Sequence, residues 1–278
     1  MHPKLTTIIH THNESKHIEA CIDSACLVTE SIIVVDMEST DDTVLRAQQK
    51  GVKIRSFPFT HYVEPAREFG ISQAQTEWVF LLDADERMTP ELAREIKTII
   101  STTKNTSLDS NGQRPSSNDQ SPMTHYKVPR KNMFGGQKWL KHGGWWPDLQ
   151  LRLFKKEALT AWPKQIHSTP QFRGTCSELN NPFEHHFHGN LEEMVHKTLI
   201  FEDIESDLLC DAKRPVSTHT FFRKFLGELN RRLILKRGFL DGPIGILEGI
   251  YQAYSKTITY LFLYEKYLSS KSEKSSSL

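Results

Sequence analysis

The chain contains no uninterrupted apolar stretch of about eighteen residues, the length a membrane-crossing helix needs, so no spanning segment is expected. Its opening residues, Met1-His2-Pro3-Lys4, lead into a short apolar run and then His10-Thr11-His12-Asn13-Glu14. No apolar secretion core precedes these polar residues, and a secretory signal is not expected. There are only four cysteines, Cys21, Cys26, Cys176 and Cys210, and no two form a Cys-x-x-Cys pair, which excludes a dithiol motif and a finger-type zinc site. Cys21 and Cys26 fall in a helical segment and are expected in the core as reduced thiols, in keeping with a reducing cytoplasmic compartment. A formal net charge of +1 leaves no strong field over the whole molecule. No nucleic-acid partner is expected, and attraction to any acidic partner must come from a local patch. Internal repeats are absent.

What the sequence does contain, over its first hundred residues, is an alternation of strand and helix signals. Leu5 to Ile9 is a β-prone run, followed by a loop over Thr11–Ser15 and a helix from about Lys16 to Val28. Ile32-Ile33-Val34-Val35 is a continuous β-branched run that ends at Asp36. Such a run suits a strand covered on both faces, as in a parallel sheet. Ser39-Thr40-Asp41-Asp42 then starts a helix that Gly51 closes, Val52 to Ser56 is a third strand, and Pro65 to Ala74 a further helix. Trp78 to Leu82 is a fourth strand, ending in acid at Asp83, and Thr89-Pro90-Glu91 opens another helix. This order implies an α/β doubly wound sheet, whose ligands sit beyond the carboxyl ends of its strands. Asp36 and Asp83 both fall at such ends. Residues 101–124 are rich in Ser, Thr, Asn, Gln and Pro and read as a flexible insertion.

The sharpest chemical signal is Asp83-Ala84-Asp85 directly after the apolar strand. Two carboxylates one residue apart at a strand end can face a hard divalent cation, Mg2+ or Mn2+, that also binds diphosphate oxygens. A solvated turn is the plainer reading of the same residues. Asp36 can accept hydrogen bonds from a base or ribose, and Asp41 is either a helix cap or a ligand. Glu14 is placed to bind a ribose hydroxyl or base edge. The paired His10 and His12 lack a third zinc ligand nearby. Further on, Gln150 and Arg152 alternate with leucines, a strand pattern that sets both on the face shared with Asp148. Arg152 can hold a phosphate with both arms of its guanidinium or form a buried ion pair.

Three segments, Thr11-His12-Asn13-Glu14, Val34-Val35-Asp36-x-x-Ser39-Thr40-Asp41-x-Thr43 and Leu81-Leu82-Asp83-Ala84-Asp85-Glu86, resemble those of family 2 glycosyltransferases of the GT-A fold. The stretch from Lys138 to Phe154, with His142-Gly143-Gly144-Trp145-Trp146-Pro147-Asp148, is similar to the branch that includes the lipopolysaccharide inner-core beta-1,4-glucosyltransferases. The resemblance implies an inverting transfer of a hexose, glucose, from a nucleoside diphosphate sugar such as UDP-glucose to a lipopolysaccharide core or other glycolipid acceptor. It implies that Thr11, Glu14 and Asp36 hold the nucleoside, that Asp83 and Asp85 hold metal and diphosphate, and that Asp148 is the catalytic base. A carboxylate set among tryptophans is suited to taking a proton from an acceptor hydroxyl, and Trp145 and Trp146 offer flat faces to sugar rings. His167, in Ile166-His167-Ser168 where the family often shows His-Glu, is a candidate third metal or phosphate ligand. The histidines His185, His186 and His188 look like the family's histidine at the end of the catalytic domain; three so close could bind metal, with a loop and cap role the plainer assignment. The expected division is a GT-A catalytic domain over 1–190, a helical appendage over 191–268 and a disordered tail over 269–278.

Arg223, Lys224, Arg231, Arg232, Lys236 and Arg237 stand against the single acid Glu228. The apolar segment from Ile244 to Tyr264 follows, with Glu248, Gln252 and Lys256 drawing one polar stripe along a helix, which argues against spanning. A basic stretch beside an amphipathic helix suits an anionic membrane surface, here the inner face of the cytoplasmic membrane, where a lipid-linked acceptor is delivered. A helix packed on the catalytic domain is the competing arrangement. Two other functions fit the same scaffold: a nucleotidyltransferase, and a non-catalytic membrane-surface module that binds nucleotide sugar.

Overall fold

Adjacent apolar residues in a strand point to opposite faces, so the pairs Ile8–Ile9, Ile33–Val34 and Leu81–Leu82 require a sheet covered on both sides. The computed structural model, which describes residues 4–102, 123–164, 168–187 and 191–276, has that arrangement. Ile9, Val34 and Leu82 join one buried cluster with Ile22, Leu92 and Ile96, and Ile8, Ile33 and Leu81 join a second with Ile71 and Phe154. Each such side chain taken fully out of water contributes about 1.5–3 kcal/mol.

The elements run β1 (Leu5–Thr11), α1 (Ile18–Ala25), β2 (Ile32–Asp36), α2 (Thr43–Gln49), β3 (Lys53–Ser56), α3 (Glu64–Gln73), β4 (Trp78–Asp83), β5 (Glu86–Arg87) and α4 (Pro90–Thr102). Then come β6 (Met123–Phe134), β7 (Lys138–Trp139), β8 (Leu149–Lys155), β9 (Leu159–Ala161), β10 (Gln171–Phe172), β11 (Thr175–Glu178) and β12 (Phe183–Phe187). The helices α5 (Leu191–Asp211), α6 (Thr218–Asn230) and α7 (Pro243–Ser276) follow.

The chain divides into two compact units, the first made of residues up to Lys131 together with Asp148–His185. Its strands β3, β2, β1 and β4 are parallel neighbours in that order, and β8 then pairs antiparallel with both β4 and β6, giving a mixed sheet. β5 pairs antiparallel with β12 through Glu86 and His185. Cys21 is buried in the core, as expected, whereas Cys26, at the end of α1, is exposed.

The second unit contains Asn132–Pro147 and the chain from His186 onward. The expectation that residues up to 190 form one domain therefore misses the 132–147 segment, which packs with the helices. Asp241 is the reason: its Oδ2 accepts the backbone N–H groups of Lys141 and His142, at 2.9 and 2.7 Å, and its Oδ1 meets His142 Nδ1 at 2.8 Å. Arg232 adds a bond to the Gly143 carbonyl at 2.9 Å. Helix α7 packs on α5 and α6 and runs to Ser276, through most of the segment expected to be a disordered tail. Nearly all of the expected insertion lies outside the described residues.

Candidate active site

Register brings four polar residues to one edge of the sheet. Thr11 on β1 lies opposite Asp36 on β2, and His10 lies opposite Asp83 on β4. This edge holds the carboxyl ends of parallel strands, where open α/β sheets bind ligands. Thr11 and Asp36 are buried, and Thr11 Oγ1 and Asp36 Oδ1 have no hydrogen-bond partner among the described residues. Leaving such an atom unsatisfied costs about 1–3 kcal/mol, so the pair marks a place for a polar ligand. The other Asp36 oxygen accepts the Ser39 N–H at 3.1 Å.

The loop after β1 is tied to the loop after β2. Ser39 Oγ accepts the Asn13 N–H, Asn13 Oδ1 accepts the Thr40 N–H, and Thr43 Oγ1 accepts the Glu14 N–H, at 2.7–2.8 Å. Asp41 accepts the Ser15 and Thr43 N–H groups at 3.1 and 3.0 Å, and the Thr43 hydroxyl donates to it as well. Burial works to raise the Asp41 pKa, but these hydrogen bonds outweigh it and hold the value down at about 2. Of the two roles open to Asp41, the structure supports the local one: it clamps the two loops. Glu14 is positioned by the same lacing and is partly buried.

Asp83 is held by two arginines. Arg67 Nη2 lies 2.8 Å from Oδ1 and donates to Oδ2 at 2.9 Å, and Arg152 Nη2 donates to Oδ2 at 3.0 Å. Burial would raise its pKa, but the two guanidinium groups hold the carboxyl well below the usual range. Arg152 also donates to Glu86 Oε1 at 2.5 Å, and Glu86 Oε2 accepts the Asp83 N–H at 2.9 Å. Glu86 is fully buried, which pushes its pKa up against the pull of Arg152. Arg67 also donates to His10 Nδ1 at 3.0 Å, while His10 Nε2 meets the Ala66 carbonyl at 3.3 Å. Burial, with Arg67 beside it, lowers the His10 pKa to about 3, so this imidazole is neutral. Of the two arrangements open to Arg152, the structure contains the buried ion pair.

Asp85 is partly exposed, with His185 Nε2 3.4 Å from its Oδ2. A carboxylate and an imidazole together are a fitting partial shell for Mg2+ or Mn2+, which keeps waters and takes its other ligands from substrate phosphates. Among the described residues no cluster of three or more His, Cys, Asp or Glu side chains forms a closed metal cage. The other proposed metal ligands differ from Asp85: Asp83 is occupied by guanidinium groups, and His167 lies outside the described residues.

Asp148, just before β8, has Arg130 Nε and Nη2 at 2.8 and 2.7 Å from Oδ2, and Gln150 Nε2 donates to Oδ1 at 2.6 Å. Within this unit a guanidinium and an amide aim the carboxylate. Trp145 and Trp146 belong to the second unit. There Trp145 lies against Phe187 with ring centroids 4.9 Å apart and beneath Arg232, and Trp146 meets Trp139 edge-on. Arg67, Arg130 and Glu86 are the parts that sequence reasoning left without a site role. Glu86 stands in a motif it did quote, whereas Arg67 and Arg130 carry no local signal.

The sequence profile of Glycosyl transferase family 2 matches residues 6–162, more than half of the chain and most of the first unit. The chain belongs to that family. This family 2 protein is a glycosyltransferase, and its mixed sheet with a C-terminal helical region is the GT-A architecture expected from its motifs. An uncharacterized glycosyltransferase of Rickettsia typhi is 26% identical over 96% of the chain and 89% of its own length. Among solved structures, residues 1–349 of TarS from S. aureus in complex with UDP align with a TM-score of 0.46 at 12% identity, covering 96% of this chain and 92% of that one. Glucosyl-3-phosphoglycerate synthase from Mycobacterium tuberculosis, in complex with Mn2+, UDP and phosphoglyceric acid, aligns with a TM-score of 0.44 at 16% identity, covering 78% and 81%.

Proposed function

We propose that this glycosyltransferase inverts the anomeric centre of a nucleoside diphosphate hexose, UDP-glucose in the first instance, and places the sugar on a lipopolysaccharide core or related glycolipid at the inner face of the cytoplasmic membrane. The observation that carries the donor half is that Thr11 Oγ1 and Asp36 Oδ1, on residues paired across β1 and β2, are buried without a hydrogen-bond partner among the described residues. A ribose hydroxyl or base edge satisfies both, and Glu14 on the laced loop bounds the same site. Asp83, fixed by Arg67 and Arg152, orients the donor beside them, so Arg152 serves the donor site through Asp83. Asp85 with His185 holds the divalent cation, which when bound neutralises charge on the departing diphosphate. His167 remains a further candidate ligand.

Asp148 takes the proton of the acceptor hydroxyl as that oxygen attacks from the face opposite the leaving group. Arg130 and Gln150 hold one carboxylate oxygen each and fix its direction. In-line attack in a single step leaves no glycosyl-enzyme intermediate. We assign stacking on acceptor sugar rings to Trp145 and Trp146. The glucose, uridine and glycolipid assignments rest on the resemblance of the Lys138–Phe154 segment.

The test is calorimetric titration with a panel of nucleoside diphosphates, with and without Mn2+, on the wild-type chain and on Asp85→Ala. Metal-dependent binding of UDP that Asp85→Ala abolishes is expected. Equal binding by the variant removes Asp85 from the donor site. Absence of binding to any nucleotide in either metal state overturns the whole reading.

A further inference from the structure

Helix α7 is built inside out. Its polar stripe faces the neighbouring helices: Ser255 and Thr259 are buried and both donate to the carboxylate of Glu202 on α5. Tyr251 donates to the Met194 carbonyl at 2.8 Å, and Lys266 Nζ meets Ser206 Oγ at 2.7 Å and Asp203 Oδ1 at 2.8 Å. Glu248 is buried on the same side, with Gln252 donating to it at 3.4 Å. On the opposite side Ile246, Leu247, Ile250, Tyr254, Leu261 and Leu268 are exposed. At 100° per residue these six fall within an arc of about 100° and extend for about 33 Å. A water-facing helix has the reverse polarity.

The exposure continues through the preceding segment of the same unit. Phe222 and Leu226, one turn apart on α6, are 72% and 59% exposed, and Leu235 is 68% exposed. In the first unit, the exposed large apolar side chains among the described residues are only Leu27, Leu45, Phe59 and Met123. Interleaved with the apolar residues of 222–240 are the exposed cations Arg223, Lys236 and Arg237. The acid of that stretch, Glu228, is taken by Arg231 and by Arg232, the latter at 2.8 Å. No described helix is long and apolar enough to cross a membrane.

We infer that the outward faces of α6, the 231–240 turns and α7 form one docking surface for an anionic lipid leaflet, on which the second unit lies with its apolar side chains in the acyl boundary. The interleaved cations choose this occupant over a second copy of the chain. A two-fold contact would press Arg223, Lys236 and Arg237 toward their own equivalents, whereas lipid phosphates complement them. The inward polar stripe is the other half of the argument, because its hydrogen bonds hold the helices together without using the apolar face. This surface is independent of the donor-site assignment.

Flotation of the full-length chain with vesicles tests it, using phosphatidylglycerol mixed with phosphatidylcholine against phosphatidylcholine alone at about 0.1 M salt. Strong partition to the anionic vesicles is expected. The combined Arg223→Glu, Lys236→Glu, Arg237→Glu variant should lose about a hundredfold in partition, about fivefold for each cation removed. Ile250→Asp with Leu261→Asp should lose a similar amount, because apolar burial supplies the rest. Both variants change exposed side chains only, and unchanged thermal unfolding and UDP titration establish that they are folded. Wild-type chain that stays with the soluble fraction overturns the inference. So does full vesicle binding by the folded aspartate variant, or a solution dimer that this variant converts to monomer, which makes the face an interface between copies.

Discussion

Asp83 and Asp85 are two residues apart, yet their surroundings give them different chemistry. Asp83 faces two guanidinium groups and is a fixed anion, while the partly exposed Asp85 lies beside the imidazole of His185. Arg152 ties the first of these to Glu86. Replacing it with methionine leaves two buried carboxylates without their shared counter-ion, and Arg152→Met should lower stability by about 3–5 kcal/mol, read from urea unfolding. Asp148 is fixed in direction by Arg130 and Gln150, and this makes its proposed role separable from binding. Asp148→Asn can keep the Gln150 contact through its remaining oxygen, gives up the Arg130 pair and cannot take a proton. Its kcat should fall by about 10^2–10^4 with UDP affinity unchanged in the same calorimetric titration. A parallel loss of UDP affinity would instead make Asp148 a donor contact.

The strand elements follow from local composition, since a continuous β-branched run has nowhere to sit except a doubly covered sheet. The second unit depends more on close approach. A side-chain Cβ at Gly245 would lie 2.1 Å from the Gly238 carbonyl oxygen and 2.7 Å from Asp241 Cβ, so α7 and the turn before it meet through bare backbone. Gly227, in the interior of α6, has nothing within 4 Å of the same position. The two alanine substitutions should therefore have opposite signs. Gly245→Ala should cost about 1–3 kcal/mol through overpacking. Gly227→Ala should add about 0.5–1 kcal/mol by restricting the unfolded chain and favouring helix. Paired thermal melts check both, and a neutral Gly245→Ala would mean that the turn yields easily.

The molecule combines a unit with an ordinary apolar interior and a helical unit whose interior is partly polar. Glu248 gives this arrangement a pH signature. Burial raises its pKa to about 7 from the ordinary 4.5, against the opposing hydrogen bond from Gln252 and the charge of Arg232. The folded chain thus keeps a proton that the unfolded chain releases in this range. The stabilisation is complete below pH 4.5 and is lost as pH rises toward 7. Glu248→Gln stays neutral throughout, so its stability relative to wild type should climb across that window and level off above it. Urea unfolding of both proteins at several pH values measures the difference. A constant difference would mean that the Glu248 carboxyl titrates at its ordinary value when folded.

The sequence by itself determined the doubly wound sheet, the acids at its strand ends and the loop motifs. In each case neighbours along the chain carry the cause: paired apolar residues for two covered faces, and an acid immediately after the run that becomes a strand. It also suggested a polar stripe on the last helix, but periodicity has no sign, and only tertiary packing decided that this stripe faces inward. Packing likewise decided that Asp241 draws residues 132–147 into the helical unit. The partners of the site acids were settled in the same way. Arg67 reaches Asp83, Arg130 reaches Asp148 and His185 reaches Asp85 because sheet register brings separate strands and helices to one edge, and no spacing along the chain encodes those distances.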